Sequence, residues 1–244
     1  MLLALDTSTL MLSAALVDRQ GGELRVVEQI AAGPPRKQSE MLPSVLSELL
    51  ARHSLKLQSL EAIAVGLGPG SFTGLRIGVA TAKALAYAAN IKIAGVSSLA
   101  AIALDGPEEH ALLPAAIARQ GELYVGTYRR EHNGVRLLER ERAVKPSELA
   151  ELLRREPDAV ALGPAIGPYR AELQSLGAPA ERLLIQPEFP SAVAIARLAV
   201  VPEAYDVQAL FALEPHYVRP SEAERNPAFP PLPGPIPTAR IRED

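Results

Sequence analysis

Apolar residues gather first in short runs along this chain and then recur at helical spacing. Leu2 to Asp6 reads as an apolar strand and Ser13 to Asp18 as a second. Gln20-Gly21-Gly22 supplies turn residues before a third strand around Leu24 to Ala31, which carries the β-formers Val26, Val27 and Ile30. Met41, Leu42, Val45, Leu46, Leu49 and Leu50 then fall at helical spacing, with Glu40, Ser44, Ser47 and Glu48 facing away, which predicts a helix over 39–51. Pro43 is expected in its first turn, where a missing N–H costs no intrahelical bond. A strand over Glu61 to Gly66, a glycine-rich turn, a small-residue helix over 74–89, a strand over Ile91 to Val96 and a short helix over Ser97 to Leu104 follow, in the order βββαβαβα.

Asp105-Gly106-Pro107 predicts a boundary. Beyond it, strands are expected near Leu112 to Ala118, Leu123 to Tyr128, Ala159 to Leu162 and Leu183 to Ile185, and helices near Ser147 to Arg155 and Ala192 to Ala199. From about Ser221 the prolines at 227, 230, 231, 233, 235 and 237 remove ladder donors and fix φ, so a mobile tail is expected there. The expected division is a first lobe over 1–104, a second over 105–220 whose last helix packs on the first, and a tail over 221–244.

Composition narrows the chemistry. The chain has no cysteine, which excludes disulfides, thiolate metal sites and a cysteine nucleophile, and fits the cytoplasm. The opening MLLALDTSTLMLSAALVD has no basic leader and is interrupted by Asp6, so neither a signal peptide nor a membrane span is expected. A net charge of −3 with mixed signs leaves only short basic pairs, such as Arg129-Arg130, so strong binding of nucleic acid by this chain alone is not expected. His53, His110, His132 and His216 are too scattered to make a local metal motif.

The most informative segment is GPGSFTGLRIGVATAKALA, from Gly68 to Ala86. Its glycines permit positive φ and close backbone approach, and the turn opens a helix whose first N–H groups lack intrahelical partners. An anion site and a plain strand-to-helix turn both fit that arrangement. No Gly-Lys-Ser/Thr ends it, so it is not the nucleotide-binding P-loop pattern. Gly74, Gly78, Ala82 and Ala86 form a ridge of minimal side chains, flanked by Leu75, Val79 and Leu85. Such a ridge serves either packing on the chain's own sheet or close contact with another helix.

As a whole, this string resembles the signature of the TsaB family. LALDTST (3–9), SEMLPSVLSELL (39–50), GVSSLAAIA (95–103), ARQGELYV (118–125) and PHYVR (215–219) resemble further family segments in the expected order. Two positions depart from the pattern: Gln38 stands where the family often has His, and Ile117 where it often has Asp. The resemblance implies a two-lobed α/β fold like the actin, sugar-kinase and Hsp70 ATPases. In that superfamily the residues at Asp6, Thr7, Ser8 and Thr9 face nucleotide phosphates and magnesium; the alternative is that Asp6 only holds the turn. The catalytic relative TsaD carries a His-x-x-x-His metal pair after the next strand, and Ser98 and Ile102 fall at those places here, neither suited to a transition metal.

The resemblance further implies a non-catalytic subunit that dimerises with TsaD. TsaD transfers threonylcarbamoyl to N6 of adenosine 37 in tRNAs reading ANN codons, in an ATP-dependent pathway that includes the ATPase TsaE. The tRNA is then the substrate of the complex. No cofactor is expected on this chain alone; a nucleotide at the partner interface and a competing homodimer are compatible with the family. The implied interface is the two helices, with Met41, Leu42, Val45, Leu46, Leu49, Gly74, Leu75, Gly78, Val79, Ala82 and Ala86. The alternative is an active small-molecule kinase or ATPase of the same superfamily, which needs carboxylates from both lobes; Gly163 to Gly167 is the one second-lobe candidate and reads better as a strand-to-helix turn. A peptidase finds no metal motif and no Gly-x-Ser-x-Gly.

Overall fold

The chain's apolar strand runs assemble into two sheets of five strands each. The computed structural model describes residues 1–20, 23–34, 38–119, 121–132 and 134–218. The elements in chain order are β1 (Leu2–Asp6), β2 (Leu12–Gln20), β3 (Glu23–Ala32), α1 (Gln38–Arg52), β4 (Ala62–Gly66), α2 (Phe72–Ala89), β5 (Lys92–Val96) and α3 (Ser98–Leu104). After these come β6 (Ala111–Ile117), β7 (Leu123–Glu131), β8 (Gly134–Val144), α4 (Pro146–Arg155), β9 (Ala159–Leu162), α5 (Ile166–Ser175), β10 (Leu183–Leu184), α6 (Ala192–Leu198) and α7 (Val207–Ala212).

The first sheet has the order β3-β2-β1-β4-β5, and the second, read from its other edge, has β8-β7-β6-β9-β10. In each, the first three strands form an antiparallel meander, and the fourth and fifth lie parallel to the first. The second sheet therefore repeats the topology of the first.

Alternation along β1 sets the layers, because successive side chains point to opposite faces. Leu3 and Leu5 join Leu42, Leu46, Leu49, Val79 and Ala82 in one core, under α1 and α2. Leu2 and Ala4 join Ala101, Ala194 and Ile195 in another, under α3 and α6. All five residues of β1 are buried, as expected for a strand covered on both faces. In the second sheet, Leu113, Leu123 and Ala161 pack with Leu149, Leu153 and Ile166 of α4 and α5, and Leu112, Tyr128 and Leu162 pack with Leu99 and Ile102 of α3. Helix α3 thus lies between the sheets. α6 and α7 return to the first sheet: α6 packs on β1, β2 and β4, and Leu210 of α7 enters the core beneath α1 and α2.

The structure differs from the sequence reading at several places. Pro43 lies inside α1, which begins at Gln38, with its ring on the exposed side. Strand β8 and helix α7 were not foreseen, and α5 was implied only by reading Gly163 to Gly167 as a strand-to-helix turn. The ridge residues Gly74, Gly78, Ala82 and Ala86 are buried within the chain, together with Leu75 and Val79. So are Met41, Leu42, Leu46 and Leu49, while Val45 is half-buried. The physical reason is that α1 packs both on β2 and on α2, so it needs two apolar faces rather than one stripe. The ridge lets α2 approach the sheet: a Cβ on Gly78 would stand 2.2 Å from the Thr7 hydroxyl. The expected tail over 221–244 lies outside the described residues. Among the described residues no helix is long and apolar enough to cross a membrane.

Candidate functional site

Strands β1, β4 and β5 run parallel and in register, so Asp6, Gly66 and Val96 bring their C-terminal ends together. In parallel α/β sheets this edge is where ligands bind. Three loops meet there: residues 7–11 after β1, 67–71 after β4, and the start of α3 after β5.

Asp6 lies at the centre and is 1% exposed. Its Oδ1 accepts hydrogen bonds from the Ser8 N–H at 2.8 Å and the Ser8 hydroxyl at 2.7 Å. Its Oδ2 accepts the Ser98 hydroxyl at 2.6 Å. Burial raises the pKa of Asp6 above the ordinary carboxylate value, while the bonds from Ser98 and Ser8 pull it back towards that value. Gly66 beside it is obligatory, since a Cβ there would meet Oδ2 at 1.8 Å.

The glycine-rich turn is stitched to both neighbouring loops. Gly68, at φ +95°, donates its N–H to the Ser98 hydroxyl at 3.0 Å, and its carbonyl accepts the Ser98 N–H at 2.8 Å. The Ser71 N–H donates to the Ser8 carbonyl at 2.7 Å. The Ser71 hydroxyl caps α2 by accepting the Gly74 N–H at 3.2 Å. Thr7 donates its hydroxyl to the Gly74 carbonyl at 2.8 Å. These donors are committed within the protein rather than aimed at an open space, and Asp6 has both oxygens occupied.

The structure thus brings together the three residues read as a degenerate nucleotide site, Asp6, Thr7 and Ser8, and adds Ser98, which sequence reasoning had treated only as a position lacking a metal ligand. No local signal could have paired Ser98 with Asp6 across that separation. Ile102, the other position aligned with the metal pair of the catalytic relative, is fully buried among Leu99, Leu112 and Leu162. Among the described residues no group of three or more His, Asp or Glu side chains is placed to hold a metal ion.

Between the lobes, beside this edge, opens a cleft of about 450 Å³ lined by Ser8, Leu10, Met11, Ile117, Pro164 and Glu188 among others. Its described lining is largely apolar and includes no Lys or Arg. Ile117 is exposed in it. Gly163, at φ +111°, makes the turn from β9 into α5, with the Ala165 N–H donating to the Ala115 carbonyl.

A second polar cluster was not foreseen. Glu141 on β8 is 3% exposed and accepts hydroxyl hydrogen bonds from both Ser97 and Tyr128 on Oε1. The His216 Nδ1 stands 2.9 Å from its other oxygen. Burial pushes the Tyr128 phenol well above its ordinary value and the Glu141 charge adds to this, so Tyr128 remains a neutral donor.

On the outer side of the helix layer, α1 exposes Pro43, Ser44, Ser47 and Glu48, and α2 exposes Arg76, Ala80, Ala84, Tyr87 and Ala88. Helix α7 lies beside α2, with Phe211 tilted on Tyr87 at 5.6 Å between ring centroids.

The model of the TsaD family, tRNA N6-adenosine threonylcarbamoyltransferase, matches residues 25–176. Among curated proteins, the tRNA threonylcarbamoyladenosine biosynthesis protein TsaB of Bacillus subtilis (strain 168) is 31% identical over 91% of this chain and 96% of its own length. The proteins of that name from Haemophilus influenzae and Escherichia coli are 38% and 34% identical. In those two pairs the match spans about half of each protein, 53% and 55% of this chain and 54% and 57% of theirs. Of solved structures, YeaZ from Pseudomonas aeruginosa superposes with a TM-score of 0.66 at 29% identity, covering 81% of this chain and 89% of that one. An uncharacterized protein described as similar to the peptidase YeaZ from Pseudomonas aeruginosa gives 0.68 at 27%, covering 89% and 99%. With a similarity that runs nearly from end to end in the Bacillus protein and a fold shared over most of the chain, this protein belongs to the TsaB family.

Proposed function

We propose that this chain is the non-catalytic subunit of a tRNA-modifying complex, pairing with a TsaD-type transferase that places threonylcarbamoyl on N6 of adenosine 37 in ANN-decoding tRNAs. The observation that carries this reading is the near full-length similarity to a protein named for threonylcarbamoyladenosine biosynthesis. The site geometry supports the non-catalytic part. Ser98, at a metal-ligand position of the catalytic relative, spends its hydroxyl on Asp6, and Ile102 is sealed in apolar packing. A kinase or ATPase reading is not favoured, because the Asp6 carboxylate and the Gly68 and Ser71 N–H groups are already paired inside the protein. The duplicated 3-2-1-4-5 strand order supports assignment of both lobes to the actin, sugar-kinase and Hsp70 class. We divide the lobes near Asp105, with α6 and α7 belonging spatially to the first.

The partner surface we assign is the outward face of α1 and α2. It is built from Ser44, Ser47, Ala80, Ala84 and Ala88 rather than from the inward residues first expected. Small side chains there allow a partner helix to approach closely, and a competing homodimer would use the same face. In this reading TsaE and ATP act on the assembled complex, in the cytoplasm, and this chain holds no nucleotide by itself. The test is co-purification with the TsaD protein of the same source, followed by a threonylcarbamoyl-transfer assay with and without this chain. Full transfer by the transferase without this chain, or transfer by this chain alone, would overturn the proposal.

A further inference from the structure

Residues 213–218, which follow α7, touch both lobes. On the first lobe, the Lys83 ammonium of α2 donates to the carbonyls of Phe211 at 2.8 Å and Leu213 at 2.9 Å, and pairs with Glu214 at 3.3 Å. Leu213 covers Gly95 of β5, where a Cβ would stand 2.9 Å from its methyl. The His216 N–H donates to the Leu67 carbonyl at 2.7 Å. Tyr217 packs on Phe72 at 5.1 Å between ring centroids and accepts the Arg76 Nε–H at 3.2 Å. The segment is therefore fastened along one flank of α2 and across the ends of β4 and β5.

On the second lobe, the described contact is of another kind. The His216 imidazole faces the buried Glu141 of β8, its Nδ1 2.9 Å from Oε2. Oε2 has no well-aligned hydrogen-bond donor in this arrangement, so the contact is one of proximity that a small rotation of the ring would complete as a hydrogen bond. Glu141 is also the acceptor for Tyr128 of its own lobe and for Ser97, the N-cap of α3 on the first. One carboxylate thus joins the second sheet, the first lobe and the segment 213–218.

We propose that residues 213–218 are a strap whose His216–Glu141 contact latches the second lobe to α2, so that the angle between the lobes is set through the helix that faces the partner. The strap is a property of this chain alone; its meaning for the complex rests on the α2 surface assigned above. When the latch is closed, the strap, α2 and β8 move as one body. When it opens, the second lobe is tied to the first through the α3 layer, the packing of β8 on α6 and the Ser97 bond, without the strap.

The absence of native cysteines makes a direct test available on the full chain. Gln29→Cys on β3 and Ser175→Cys at the end of α5 are both exposed and place one spin label on each lobe. The label separation is measured in the parent, in His216→Ala and in Glu141→Gln, with amide exchange at His216 followed in parallel. His216 is 49% exposed, so its replacement leaves the core intact; if Glu141→Gln does not fold, His216→Ala decides alone. The expected result is a single narrow separation in the parent and a broadened or two-population separation in the variant. The amide of residue 216 should exchange about tenfold faster, the size expected for loss of one modest polar contact. An unchanged separation overturns the proposal, whether or not the strap itself exchanges faster, because the strap would then be a local tie only. Neither measurement includes a partner, so failure of the complex to form and failure of the latch are read separately.

Discussion

Replacing Ser98 with Ala tests the claim that the Asp6 centre is a closed internal knot. The hydroxyl serves two buried groups: it donates to Asp6 Oδ2 at 2.6 Å and accepts the Gly68 N–H at 3.0 Å. Both partners are buried, and water has no ready path to replace the lost atom. A hydrogen bond to a charged group contributes roughly 1.5–3 kcal/mol and a neutral one about 1 kcal/mol, so the loss should come to about 3 kcal/mol. For a chain of this size that lowers the unfolding midpoint by roughly 10 °C. Denaturant titration followed by circular dichroism gives the free energy, and a scan gives the midpoint. The reasoning also fixes a direction for pH. The Ser98 bond lowers the Asp6 pKa against the larger opposing effect of burial, so its removal leaves the carboxylate still harder to ionise in the folded state. The variant should therefore lose more stability as pH rises from the ordinary carboxylate range than as it falls. A loss below about 1 kcal/mol at neutral pH, or a loss that grows towards acid, would refute the account of Ser98 as a buried donor to an ionised Asp6.

Asp6→Asn keeps the shape and removes the charge. A raised folded pKa means that the native state binds more protons than the unfolded chain as pH passes above the ordinary carboxylate value, so wild-type stability falls as pH climbs through that window. The stability of Asp6→Asn relative to wild type should rise over the same range, and a flat difference in urea titrations at several pH values would contradict this. Gly78→Ala should destabilise although alanine gains about 1 kcal/mol of helix propensity, because its Cβ would stand 2.2 Å from the Thr7 hydroxyl that bonds the Gly74 carbonyl; an increase in the unfolding midpoint would count against it. Ala84→Arg on the outer face of α2 should leave the midpoint within a few degrees and abolish transferase binding in a pull-down. Ala82→Arg, fully buried, should unfold the protein instead. Binding by Ala84→Arg with unchanged affinity would remove the outer face of α2 from the interface.

What the sequence disclosed follows from what short-range patterns can carry. Strand β4, and β1 as far as Leu5, are runs of apolar and small residues bounded by turn residues, so they are visible as runs. Strand β8, GVRLLERERAV, is an edge strand exposed along most of its length, and its charges leave no apolar alternation to read. Helix α7 covers only Val207–Ala212 and is held by α2 more than by its own pattern. The four-residue ridge on α2 correctly announced close backbone approach, but spacing alone does not say which neighbour comes close. Here it is Thr7 and Leu5 of the same chain, and the free face lies one step round the helix at Ala80, Ala84 and Ala88. Asp6 was visible as a lone acid after a strand. Its partner Ser98 is brought to it only by the parallel pairing of β1, β4 and β5, and the His216–Glu141 contact likewise depends on where the last segment crosses the second sheet.

The return of α6 and α7 to the first sheet fixes the order in which the protein can be completed. One face of β1, β2 and β4 is covered by Ala192, Ala194, Ile195 and Ala196, and the opposite core is closed in part by Leu210. As the chain leaves the ribosome, its amino-terminal sheet therefore carries an uncovered apolar face until almost all of the described residues have been made, whereas β6 to β10 with α4 and α5 are contiguous in sequence and can close on one side as soon as they emerge. The half translated first is the half finished last. A fragment ending near Asp105 would keep only α3 over the face of Leu2, Ala4, Ala15 and Val17 and leave the area under α6 open to solvent, and its solubility should depend on a chaperone or on α6 supplied in trans.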